Sequence, residues 1–181
     1  MILSSVYQYA GRGTIYSAYS VVTTPSLYTA AAVNGFVLWN GSNVGAAQKV
    51  NAYILFVSYG LSVASAVAGS LLLSGTITQP AAPTSTTGIT AVGNMRVGGQ
   101  APQCTPYNAG TVAVAAGATS PLFIIGMVHT GALTVDTTDA NPLYLDGAME
   151  VQPGNTAIIA GSVALTSAVL QVNVVWAEVP Q

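Results

Sequence analysis

Charge is what this sequence has least of. Asp, Glu, Lys and Arg together make up 4% of it, against roughly 25% in an ordinary soluble protein. Its three cations, Arg12, Lys49 and Arg96, can neutralise few phosphates, which argues against a nucleic-acid partner. They also form no basic face for an anionic membrane surface. With His129 as its one histidine, the chain cannot build a two-histidine metal site on its own. With Cys104 as its one cysteine, it can form neither an intrachain disulfide nor a cysteine metal cluster. Cys104 reads instead as a small buried hydrophobe. No Gly-x-Ser-x-Gly elbow occurs, and no Gly-Lys-Ser/Thr follows Gly98-Gly99, so neither a nucleophile turn nor a phosphate loop is present.

The few remaining reactive groups make a weak case for chemistry. His129 with Asp136 or Asp139 and a serine has the composition of a triad, but a lone histidine at the end of an apolar strand reads as structural. Asp136, Asp139 and Asn141 carry oxygen ligands that calcium accepts. Their spacing is not that of an EF-hand, and a polar turn held by side-chain hydrogen bonds is the plainer reading. Paired carboxylates for glycoside hydrolysis would have to come from Asp136, Asp139, Asp146 and Glu150, and nothing in their spacing sets two across a cleft. The expectation is a protein with no catalytic residues, no metal and no cofactor.

A leader and a membrane span are not expected either. Met1–Gly13 lacks a charged n-region and has too short an apolar core for a signal peptide. Ile54–Leu73 is long enough to span a bilayer, but Ser58, Gly60, Ser62, Ser65, Gly69 and Ser70 break it, and its first half is aromatic and β-branched.

What the chain does have is strand signal. Short runs rich in Val, Ile, Thr, Tyr and Leu recur between clusters of Gly, Pro, Asn and Ser. The expected strands are Thr14–Val22, Gly35–Trp39, Val50–Tyr59, Ser70–Thr78, Thr111–Ala115, Leu122–His129, Leu143–Leu145, Ala148–Val151, Thr156–Ala160 and Val169–Val179. Ser62–Leu73 is the best candidate for a helix, on its alanines. In the last strand Leu170, Val172, Val174 and Trp176 point one way, Gln171 and Asn173 the other, so one face is core and one is wetter.

Val50–Tyr59 is apolar on both sides. Strict alternation puts Ala52, Ile54 and Phe56 on one face, and Tyr53, Leu55, Val57 and Tyr59 on the other. The first face is assigned to the core and the second to a neighbouring subunit. Phe36, Leu38, Trp39, Ile54, Phe56, Leu170, Val172, Val174 and Trp176 are the expected core. Gln152-Pro153-Gly154-Asn155 has the residues of a type II turn, and Asn40-Gly41 those of a tight turn. Residues 1–12 are read as an amino-terminal arm, 13–181 as a single β-sandwich domain, and 79–91 as a long loop or linker inside it.

Such scarcity of charge weakens repulsion between molecules and favours association. The nine tyrosines fit core and interface use, where the ring supplies area and the hydroxyl finds a polar partner. Every acid lies between Asp136 and Glu178. One consequence is an acidic end facing solvent, with Arg12, Lys49 or Arg96 meeting an acidic surface on a partner.

Two stretches carry a family resemblance. One is Leu145-Asp-Gly-Ala-Met-Glu-Val-Gln-Pro-Gly-Asn155 with the closing Val175-Trp-Ala-Glu-Val-Pro180. The other is Gly35-Phe-Val-Leu-Trp-Asn-Gly-Ser-Asn43 followed by Val50–Tyr59. Both resemble small jelly-roll cement or decoration proteins of tailed bacteriophage capsids, over about half the chain. The resemblance implies an antiparallel all-β jelly roll, a homotrimer on the outer surface of the virion capsid, and the phage major capsid protein as partner. Related jelly rolls serve as head fibres or as tail parts that bind a receptor or carbohydrate. That alternative implies a groove lined by Tyr or Trp with Asp or Asn nearby.

Overall fold

The computed structural model describes residues 14–28, 32–42, 48–76, 79, 81–84, 92–94, 98–107, 112–113, 119–128, 130 and 142–181. Among them there is no helix. The strands are β1 (Ile15–Thr23), β2 (Ala32–Val33), β3 (Phe36–Asn40), β4 (Val50–Val63), β5 (Gly69–Thr76), β6 (Val92–Asn94), β7 (Cys104–Tyr107), β8 (Val112–Ala113), β9 (Thr119–Val128), β10 (Leu143–Val151), β11 (Thr156–Gly161) and β12 (Val169–Pro180).

Two five-stranded sheets pack face to face. The first runs β10-β4-β12-β1-β6, the second β7-β3-β11-β5-β9, and β2 pairs with β8 as a small ribbon. All strand pairings are antiparallel. The long strands pair β1 with β12, β3 with β11, β4 with β10 and β5 with β9. That is one long hairpin with its turn between β5 and β9, rolled up so that its two arms lie in alternate sheets. This pairing defines a jelly roll. Strands from before and after the 79–91 stretch share both sheets, so the stretch does not divide the sandwich.

The core follows from period-two alternation. Tyr16, Ala18 and Val22 of β1, Ile54 and Val57 of β4, and Leu170, Val172, Val174 and Trp176 of β12 face Phe36, Leu38, Leu71, Leu73, Ala157 and Ile159 of the second sheet. Trp176 is its largest fully buried side chain and lies against the Tyr16 ring, centroids 5.8 Å apart. Truncating a buried Trp to Ala costs about 3–5 kcal/mol, so this one residue carries a large share of a typical domain's net stability.

In β4 the expected faces hold only to Ile54. Ile54 stands opposite Trp176 and Phe56 opposite Val175, so Leu55 is an extra residue, a β-bulge. The bulge reverses the parity of the residues after it as far as Leu61, beyond which Ser62 is a second extra residue. Phe56, expected in the core with Ile54, lies instead on the outer face. Val57, expected on the outer face, is 0% exposed in the central core. Tyr59 turns inward as well: a Cβ placed on Gly126 of β9, in the opposite sheet, would overlap its hydroxyl. Trp39 is buried as expected, but the alternation of β3 puts it on the outer side of the second sheet, where its indole N–H donates to the Gln79 carbonyl at 2.9 Å.

Ser62–Leu73, the best helical candidate in the sequence, is instead the end of β4, a turn, and the start of β5. Ser65 Oγ donates to the Thr166 carbonyl at 3.2 Å and accepts the Val67 N–H at 3.1 Å, which fixes the turn. Ladders with β9 and β11 on either side then outweigh the alanines' modest helix preference. No helix among the described residues is long and apolar enough to cross a membrane.

The Gln152–Asn155 turn is as expected. Gly154 has φ 80°, and the Asn155 N–H donates to the Gln152 carbonyl at 3.1 Å. The two short strands expected around Asp146-Gly147 are one strand, β10, interrupted where both residues take positive φ. Three strands carried no expectation: β2, β6 and β7.

Candidate interaction surface

The outer face of the first sheet is ordered in rows by strand register. Across β10, β4, β12 and β1 one row reads Tyr144, Phe56, Val175, Ser17. Beside it a second cluster of apolar side chains, Ile15, Leu55 and Ala177, packs with Phe56 and Val175 outside the main core. Tyr144 is 69% exposed, and its ring lies tilted over Phe56 with centroids 5.2 Å apart. The next rows change character. They read Ser58, Asn173, Tyr19 and then Gly60, Gln171, Val21. Here the face opens into a groove of about 290 Å³, lined by Tyr19, Ser58, Gly60, Ser62, Gln171 and Asn173 among others.

A third feature lies inside one end of the sandwich. Glu178 continues the inward parity of Val174 and Trp176 and is 4% exposed. Its Oε1 accepts the Cys104 N–H at 2.9 Å and the Trp176 indole N–H at 3.1 Å, and its Oε2 accepts the Gln103 N–H at 2.8 Å. Three N–H donors therefore replace the water this carboxylate loses on burial. The environment acts on its neighbours. Burial first, then the Glu178 charge and its hydrogen bond, push the Cys104 thiol well above its ordinary range. Burial, with Glu178 and Cys104 adding, raises Tyr16. A cleft of about 90 Å³ beside Glu178 is lined by Tyr16, Gln100 and Gln103 among others. A carboxylate bound to three donors in this way is a structural clamp. Among the described residues no three of His, Cys, Asp and Glu come together.

The residues expected at an interface are not brought together. Tyr53 stays on the outer face, half-buried between Glu150 and Ala177. Leu55 is in the outer apolar cluster, whereas Val57 and Tyr59 point inward. Lys49 is exposed just before β4, and Arg12 and Arg96 lie outside the described residues. So do residues 1–12, His129, Asp136, Asp139 and Asn141. Of the acids expected on a solvent-facing end, Asp146 and Glu150 are exposed on β10, but Glu178 is buried in its clamp.

The alternation of β12 offered a signal for Glu178: position 178 shares the parity of Val174 and Trp176, so a charge there faces inward. Nothing local marked its backbone partners, Gln103 and Cys104, which lie more than seventy residues away.

Fold and surface together define an antiparallel jelly-roll β-sandwich whose outer face is part apolar and part neutral-polar. Comparisons with protein-family models, curated proteins and solved structures gave no match.

Proposed function

We propose that this protein is a structural jelly roll that acts by adhesion, as a homotrimer that cements neighbouring subunits of a virion shell. The observation that carries the reading is the Tyr144–Phe56 pair, whose Tyr144 ring is 69% exposed while Phe56 rests on the buried cluster of Ile15, Leu55 and Ala177 beneath it. Aromatic side chains of this kind are the usual anchors of protein interfaces. Charge elsewhere is too sparse to oppose close approach of copies. The rolled strand order accords with the resemblance of Leu145–Asn155 and Val175–Pro180 to capsid cement proteins.

Three copies joined in one trimer multiply their contacts with the shell, so individually weak attachments become long-lived. Burying ~1,600 Å² per contact is the usual scale for a stable interface, and association entropy offsets much of the gross gain.

The test is on particles. Particles assembled without the chain should burst at a lower temperature, and added wild-type protein should restore their heat resistance. Tyr144→Glu should fail to restore it and should sediment as a monomer where the wild type sediments as a trimer. Unchanged heat resistance without the chain, or a monomeric wild type, overturns the reading.

A further inference from the structure

We propose that the groove over Gly60 is a binding site for a neutral saccharide. The groove is floored by a glycine that the fold does not require. Gly60 lies within the long strand β4, its φ is not positive, and a Cβ built on it would meet nothing within 4 Å. Neither backbone conformation nor packing explains the missing side chain. Glycine inside a strand weakens it, and marks places where a ligand or another backbone comes close. Any side chain here would stand in the groove, because Gly60 faces outward and forms its floor.

The walls select the ligand class. Ser58, Gln171 and Asn173 offer a hydroxyl and two carboxamides, while Ser62 already donates to the Val169 carbonyl. Tyr59, Leu61 and Val172 add apolar lining, and no charged residue is among the groove's lining residues. A carboxamide presents a donor and an acceptor side by side, which matches two adjacent sugar hydroxyls. An ionic ligand would lose hydration without gaining a counter-charge.

Tyr19, 53% exposed, stands across β12 from Ser58, in register with Asn173. Its ring gives a flat apolar surface for the C–H face of a pyranose, and its hydroxyl adds a polar tip. The volume of about 290 Å³ lies at the lower edge of the ~300–1,000 Å³ usual for small-ligand sites. That suits one or two sugar rings of a longer chain crossing the sheet.

The site is two residues along each strand from the apolar row of Tyr144, Phe56 and Val175. It adjoins the proposed contact, but its test reads saccharide binding and not assembly, so the two readings can fail separately.

The experiment is an NMR titration of the isotope-labelled full chain with four neutral probes: maltohexaose, cellohexaose, mannohexaose and chitohexaose. Hexagalacturonate serves as the anionic control. At least one neutral probe should shift the amide signals of Tyr19, Gly60, Gln171 and Asn173 at millimolar concentration, while the anionic probe leaves them in place. Gly60→Leu should abolish the shifts with the melting temperature unchanged or raised. Tyr19→Ala should weaken binding several-fold, and it decides the matter if the leucine variant does not fold. The proposal is overturned if no neutral probe moves these signals, if hexagalacturonate moves them equally, or if both variants bind as the wild type does.

Discussion

Glu178 of the first sheet accepts the backbone N–H of Cys104 in the second sheet at 2.9 Å, so a single carboxylate pins β12 to β7 across the end of the sandwich. The same carboxylate also holds the Gln103 N–H and the Trp176 indole. Each buried donor left without an acceptor costs about 1–3 kcal/mol. Glu178→Ala is expected to lose about 2–4 kcal/mol, because water can reach the partly exposed Gln103 but not the buried N–H groups of Cys104 and the Trp176 indole. For a chain of this size that lowers the melting temperature by roughly 5–15 °C. Glu178→Gln keeps one acceptor oxygen and should fall between the alanine variant and the wild type. Thermal unfolding followed by circular dichroism separates the three, and equal melting temperatures would remove the clamp.

The raised Cys104 thiol sets a direction for alkaline stability. Its ordinary value is 9.0, and burial, the Glu178 charge and the Glu178 hydrogen bond all push it up in the fold. An unfolded thiol therefore loses its proton first as pH rises. The contribution is fully present below pH 9.0, then falls by up to ~1.4 kcal/mol per pH unit until the folded thiol also ionises. Tyr16 and Tyr107, both raised from 10.0, add to the decline at higher pH. Urea unfolding between about pH 8 and pH 11 should show stability falling in two phases. Cys104→Ala should lack the first phase and keep the second. A wild type with constant stability across the thiol range would contradict the assigned environment.

Asn40 is a second buried polar hub, where β3, β4 and β10 meet. Its Nδ2 donates to the Val50 carbonyl at 2.8 Å and the Val151 carbonyl at 2.7 Å, while its Oδ1 accepts both the N–H and the hydroxyl of Ser42. Asn40→Ala leaves both carbonyls without this donor, at a cost of about 2–4 kcal/mol. Asn40→Asp has the same shape but no N–H to offer, and it turns a negative charge toward two carbonyl oxygens. The aspartate variant should therefore be the less stable of the two at neutral pH and should recover in part as acid protonates it. Paired denaturant curves at neutral and mildly acidic pH check both the order and its pH dependence.

These hubs show where the sequence was readable and where it was not. The last strand was legible, because alternation of Leu170, Val172, Val174 and Trp176 is a local pattern that tertiary packing reinforces. The Pro153-Gly154 turn was legible for the same local reason. β7 was not: Cys-Thr-Pro-Tyr has little strand character, and Pro106 is tolerated there because β7 is an edge strand paired only with β3. Asn40 was legible as a turn residue, its Oδ1 accepting from Ser42, but the acceptors of its Nδ2, Val50 and Val151, come together only in the fold. The groove was the hardest feature to see. Tyr19, Gly60 and Asn173 come from three strands, and the parity that turns Gly60 outward depends on a bulge with no sequence signature.

That bulge can be tested by deletion. Leu55 is the inserted residue, and removing it leaves Ile54 inward, Phe56 outward and Val57 inward, an unbroken alternation that keeps every later side chain on its present face. The loss is then confined to one leucine in the outer apolar cluster, about 1.5–3 kcal/mol. Deleting Ser58 instead, three residues on, would move Tyr59 and Leu61 to the outer face and turn Gly60 into the core. The chain without Leu55 should therefore be recovered soluble and unfold cooperatively, and the chain without Ser58 should not. Soluble yield and the sharpness of the thermal transition read the difference. If both deletions unfold alike, the reversal of faces after Ile54 has some other origin than the bulge.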